Sequence, residues 1–131
     1  MQELAFPVLS DDGTQLPDSH LGKWNALMLE ASQKIGMPLD NASHYAEWLT
    51  DAGFVGVNST LYKWPSNSWP RGKKEKTLGL WNMVNTLDGL EGFTLAMFTR
   101  VLGWQPEEVQ VFLAGVRKDV KNPGIHAYWP V

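Results

Sequence analysis

The chain of 131 residues contains no cysteine, which excludes a disulfide framework, a thiolate nucleophile and any cysteine-based metal site. Positive charge is not in excess. Eleven Lys and Arg against 14 Asp and Glu leave a formal charge of −3, so the electrostatic footprint of a nucleic-acid binder is missing. No apolar run approaches the roughly 18 residues that a membrane-spanning helix needs. The opening MQELAFPVLSDDG lacks the basic region and long apolar stretch of a secretory signal. These absences lead us to expect a soluble cytoplasmic protein with neither nucleic acid nor membrane among its partners.

Familiar chemical motifs are missing too. The nucleotide-binding GxGxxG and GxxxxGK patterns, the hydrolase GxSxG and the metalloprotease HExxH do not occur. His20, His44 and His126 are scattered, so no metal is expected. Asp11-Asp12-Gly13 lacks the spaced acids and terminal glutamate of a calcium loop and reads as a turn.

What is present fits a single domain over residues 1–131, which can bury about two-thirds of its unfolded surface. The 44% hydrophobic content is that of a folded protein, and seven tryptophans point to an aromatic-rich cavity or interface. Residues 2–9 read as a short strand, stopped by the turn cluster Ser10 to Gly13. Asp18 or Ser19 caps a helix with apolar positions Leu21, Trp24, Leu27, Met28, Ala31 and Ile35, closed by Gly36, with His20 in its first turn. A shorter helix starts near residues 41–43 and ends at Gly53. Phe54 to Pro65 alternates as a strand. Ser66 to Lys76 is a proline-bounded basic loop, read as a solvated lead into the next helix. Gln105-Pro106-Glu107-Glu108 opens a helix reaching Lys121, with proline and acids where a helix start favours them. Ile125 to Val131 is a closing strand.

The organising stretch is Thr77 to Gly103, which reads as two apolar helices joined at a glycine-rich elbow, Asp88 to Gly92. In the first, Trp81, Asn85 and Asp88 follow i, i+4, i+7 and combine a ring, an amide and a carboxylate on one stripe. Such a mixture suits a pocket wall. Asn82 and Glu91 border the stripe, and Trp24, Tyr62, Trp64 and Trp129 would supply aromatic walls. Asn85 would donate to a carbonyl gaining charge, Asp88 would serve as acid or base, and His20 is the imidazole expected to reach the site. The alternative is that Asp88 only caps the following helix and Asn85 only satisfies backbone at the elbow.

Several blocks carry a resemblance. Tyr45-Ala46-Glu47-Trp48-Leu49-Thr50-Asp51-Ala52-Gly53-Phe54, Tyr62-Lys63-Trp64-Pro65, Gly79-Leu80-Trp81-Asn82, Leu87 to Gly92 and His126-Ala127-Tyr128-Trp129-Pro130-Val131 resemble, in collinear order, the C-terminal part of fungal class I methyltransferases. Those enzymes use S-adenosylmethionine, and many serve secondary metabolism or its regulation. The resemblance implies an α+β fold, mainly helical with a few short strands, like a truncated class I methyltransferase domain. It also implies that the cofactor half is not represented, because the glycine-rich turn and acid that hold S-adenosylmethionine match no residue here. No cofactor is therefore expected.

Two kinds of function follow from this resemblance. One is an enzyme that binds an aromatic or polyketide-like molecule and performs a cofactor-independent cyclisation, isomerisation or pericyclic step. The other is a non-catalytic remnant acting as a binding or regulatory partner. A third possibility, a fragment of a complete methyltransferase, is countered by the chain's own Met1 and self-sufficient helix pattern. Strands left without neighbours would favour a homodimer.

Overall fold

The computed structural model describes residues 1–131 and has an α+β architecture in which helices outweigh a small sheet. Strand β1 (Leu9–Ser10) is followed by α1 (His20–Lys34), a 3-10 turn (Asn41–His44), α2 (Tyr45–Asp51) and β2 (Lys63–Pro65). Then come α3 (Lys73–Ala96), a π-turn (Met97–Val101), α4 (Pro106–Lys121) and β3 (Ala127–Pro130). The sheet order is β1-β3-β2 and every pairing is antiparallel. β3 is thus central although it comes last, and all four of its residues are buried.

Local chemistry explains α1 and α4. The Ser19 hydroxyl accepts the Gly22 N–H at 3.0 Å, and Asp119 of α4 accepts the Leu21 N–H, so two orphan donors of α1 are satisfied. At α4, Pro106 occupies the first turn and Glu108 accepts the Gln105 N–H at 3.0 Å. Leu21, Trp24 and Met28 of α1 interlock with Val109, Leu113 and Val116 of α4, with Phe98 and Leu90, and with Ala127 and Trp129 of β3. Gly36, Gly53 and Gly103 each adopt positive φ where the sequence ends a helix.

Three elements differ from the sequence reading. The expected elbow at Asp88 to Gly92 is absent, and α3 runs unbroken through it for 24 residues. Gly89 and Gly92 take helical backbone, at about 1 kcal/mol each relative to alanine. Leu90 and Thr94, fully buried on the core side of the same helix, offset that cost. The irregularity lies further on, in the π-turn, where the Leu102 N–H reaches the Met97 carbonyl. The expected strand at Phe54–Pro65 shrinks to Lys63–Pro65, extended by the paired backbones of Tyr62 and Val131. Gly53 and Gly56 take positive φ at its start, and no neighbouring strand runs beside residues 54–61. The N-terminal strand likewise contracts to Leu9–Ser10, although the Ala5 N–H donates to the Pro130 carbonyl.

Candidate functional site

The residues expected to line one cavity lie in separate places. Trp24, 1% exposed, is a core residue whose indole N–H donates to the Thr94 hydroxyl at 2.9 Å. Trp129 packs edge-on to Trp24 and Phe6 in the same core, and Trp64 borders it. Asn82 is buried and donates to the Pro65 carbonyl at 2.8 Å, tying α3 to β2. Glu91 accepts from Gln110 and lies 3.7 Å from Arg117, linking α3 to α4. Trp81, Asn85 and Asp88 do share a stripe, but it is the solvent side of α3, with Trp81 73% exposed. Tyr62 is exposed. His20 stands against Phe112 at the mouth of a separate open groove with Trp104 and Glu107.

The stripe faces out because the opposite side of α3 carries the small residues that admit close packing. An added Cβ on Gly79 would lie 1.9 Å from the Asn67 carbonyl oxygen, so the helix can approach the 66–67 backbone only through that glycine. Gly79, Asn82, Thr86, Leu90 and Thr94 therefore form the inward row.

A different set of side chains converges on a cavity of about 340 Å³ beside the sheet, lined by Asp11, Asp12, Lys63, Trp69, His126 and Tyr128 with Pro65, Pro70 and Glu75. Strand periodicity builds one wall. Residues 126 and 128 flank Ala127 on one side of the chain, and the register sets Pro65 of β2 opposite Tyr128. The turn after β1 brings Asp11 and Asp12 over that wall.

Asp12 accepts from His126 Nδ1 at 2.5 Å, and also from the Thr14 N–H and hydroxyl and the Ser10 hydroxyl. The His126 N–H returns to the Thr14 hydroxyl at 2.7 Å. Held by His126 first and Thr14 next, the Asp12 carboxyl lies well below the usual carboxylate range. Asp11 accepts from Lys63 Nζ at 2.5 Å and from the Tyr128 hydroxyl at 2.8 Å, and these two donors depress its pKa as well. Lys63 is raised by Asp11, while Tyr128 is raised first by burial and then by its bond to Asp11. The Trp69 ring covers the imidazole at a centroid distance of 5.0 Å, fixed by its N–H bond to the Ala127 carbonyl.

With its Nδ1 proton committed to Asp12, His126 presents an Nε2 without a protein partner, the arrangement of an oriented imidazole base. Lys63 retains donors beyond the one given to Asp11. No three of the His, Asp and Glu side chains converge in metal-binding geometry. The sequence signal for this site was weak. His126 and Tyr128 show the i, i+2 spacing of one strand face, but their partners lie more than 110 residues away.

The sheet is wholly antiparallel, and none of the five positive-φ glycines stands between a parallel strand and a helix start.

The architecture defines a mainly helical α+β unit, and comparison with known proteins gives it relatives. Over all 131 residues it is 46% identical to the probable methyltransferase tdiE of Emericella nidulans, of which it covers 41%. It is 39% identical over 127 residues to methyltransferase pytC of Aspergillus terreus, covering 97% of this chain and 39% of pytC. The secondary metabolism regulator LAE1 of Cochliobolus heterostrophus is 35% identical over 119 residues, 90% of this chain and 39% of LAE1. The chain thus spans about two-fifths of the length of these curated relatives. They are methyltransferase-family proteins of fungal secondary metabolism, in keeping with the resemblance read from the sequence blocks. No family model matches the chain, and no solved structure does.

Proposed function

We propose that this chain is a methyltransferase-like protein of fungal secondary metabolism whose own chemistry is proton transfer on a small molecule, without S-adenosylmethionine. The observation that carries this reading is the Asp12–His126 pair opening onto the cavity beside Trp69. The acid–base work expected of Asp88, Asn85 and His20 moves to His126, with Asp12 as its positioning residue. The substrate class is a flat, enolisable or phenolic molecule small enough for about 340 Å³, held through the tryptophan and proline faces.

His126 Nε2 takes a proton from an acidic carbon or hydroxyl of the bound molecule, and the imidazolium so formed is stabilised by Asp12. The remaining Lys63 donors face the oxygen on which the electron pair accumulates. The same imidazolium returns the proton at a second atom, so product and substrate have equal mass. Isomerisation and ring closure both satisfy that balance.

The test is incubation of the purified chain with a metabolite extract from a strain lacking its gene, followed by mass spectrometry. Loss of one compound with gain of an isomer is expected. His126→Gln should slow the conversion by a factor on the order of 100, the scale of losing an acid–base group. An unchanged extract, or conversion retained in His126→Gln, would remove the proposal.

A further inference from the structure

The solvent face of α3 carries a charge and hydropathy order of which the fold uses only Glu91, through Gln110 and Arg117 of α4. Lys73 and Lys74 stand exposed at its N-terminal end, and neither is in a salt bridge. Leu80, Trp81 and Val84 are exposed in its middle at 45%, 73% and 47%. Asp88 and Glu91 follow at the far end, with the Asp88 side chain free of any hydrogen bond and Glu91 accepting from the exposed Gln110 beside the half-buried Arg117. These positions fall on one side of the helix at 100° per residue. An isolated large apolar side chain on a surface needs no explanation, but a contiguous row flanked by opposite charges does.

We infer that α3 is the interface of an antiparallel homodimer, in which the occupant of this face is the same face of a second copy. The reason is symmetry in the sequence itself. A two-fold axis crossing the helix between residues 82 and 83 sets Trp81 opposite Val84 and Leu80 opposite Asn85. It sets Thr77 opposite Asp88 and Lys74 opposite Glu91. The apolar centre meets itself, and the basic end of each helix meets the acidic end of the other, the self-complementarity that an isologous contact requires. A parallel arrangement would set lysine beside lysine and is disfavoured by the same charges. Strand exchange is the weaker route to a dimer, because the edge strands β1 and β2 offer only two and three residues. This interface is independent of the proton-transfer reading, since none of its residues lines the His126 cavity.

Sedimentation of the chain at micromolar concentration should give about twice the 14.7 kDa of one copy. Trp81→Asp, which alters no core contact, should halve that mass with an unchanged circular dichroism spectrum. Lys73→Glu with Lys74→Glu should raise the dimer dissociation constant on the order of tenfold, and adding Asp88→Lys, which breaks no contact within the chain, should recover part of that loss. The absence of native cysteine permits a register test. Thr77→Cys and Asp88→Cys in one chain lie about 16 Å apart along the helix, too far to bridge each other. Under oxidation that variant should form a disulfide-linked dimer, and each single cysteine variant should not. A monomeric wild type, as expected if another protein covers this face, would overturn the interface. So would a dimer that survives Trp81→Asp, or cross-linking by either single cysteine alone.

Discussion

His126 alone among the three histidines has a carboxylate at a ring nitrogen, and its neighbours account for how the pair is held. Asp12 accepts four hydrogen bonds and Asp11 two, so both carboxylates are favoured in their charged forms. Both folded pKa values are depressed, and the linkage has a definite sign. The stability they contribute is fully present above the ordinary carboxylate pKa and is lost as pH falls through the depressed values. Denaturant unfolding should therefore show stability falling below about pH 4, with a shallower fall in Asp12→Asn. An identical slope in that variant would contradict the assignment. At this scale the sequence was only partly legible. Asp11-Asp12-Gly13 was read correctly as a turn, yet what the turn grips depends on strand register, which no local pattern specifies. Trp24 and Trp129 looked like pocket walls because tryptophan composition does not distinguish a core ring from a lining one.

Among the elements, α1 and α4 were readable to within a residue or so of their ends because caps are local chemistry. Ser19, Pro106 and Glu108 act within a single turn. The basic run at Arg71 to Lys76 is solvated as the sequence suggests, but α3 starts at Lys73, so the last four residues of the expected loop are helical, and Ser66, Asn67 and Pro70 before them are buried. The strand at Phe54–Pro65 failed because alternation describes a face, while a strand also needs a neighbour. The expected elbow is absent because glycine marks a break only where packing does not hold it helical, and Leu90 and Thr94 are buried on the same helix. The glycines of α3 are separable by experiment. Gly79→Ala forces a methyl group into the Asn67 carbonyl and should destabilise the fold by about 1–3 kcal/mol or more. Gly92→Ala meets nothing within 4 Å and should stabilise it by about 0.5–1 kcal/mol. Thermal melts of the two variants should move in opposite directions, and parallel shifts would refute this account of the helix.

For the molecule as a whole, likeness to methyltransferases and a wholly antiparallel sheet lead to the expectation that this chain by itself holds no S-adenosylmethionine. Calorimetric titration with S-adenosylmethionine or its demethylated product should give no saturable heat, and a micromolar dissociation constant would sink it. The α+β class and the relation to fungal methyltransferases were accessible from tryptophan-containing blocks, whereas the arrangement of the sheet was not. That arrangement has a consequence for how the protein comes into being. β1 and β2 pair only with β3, and the Asp11 and Asp12 contacts reach to Tyr128 and His126. Synthesis from the N-terminus therefore delivers both outer strands well before the residues that join them. On the ribosome the emerging chain holds helices whose shared core lacks its floor, and the sheet closes only after the tunnel has released residues 126–130. Until then the apolar faces of α1 and α4 stand without the Ala127 and Trp129 side chains that cover them in the folded core.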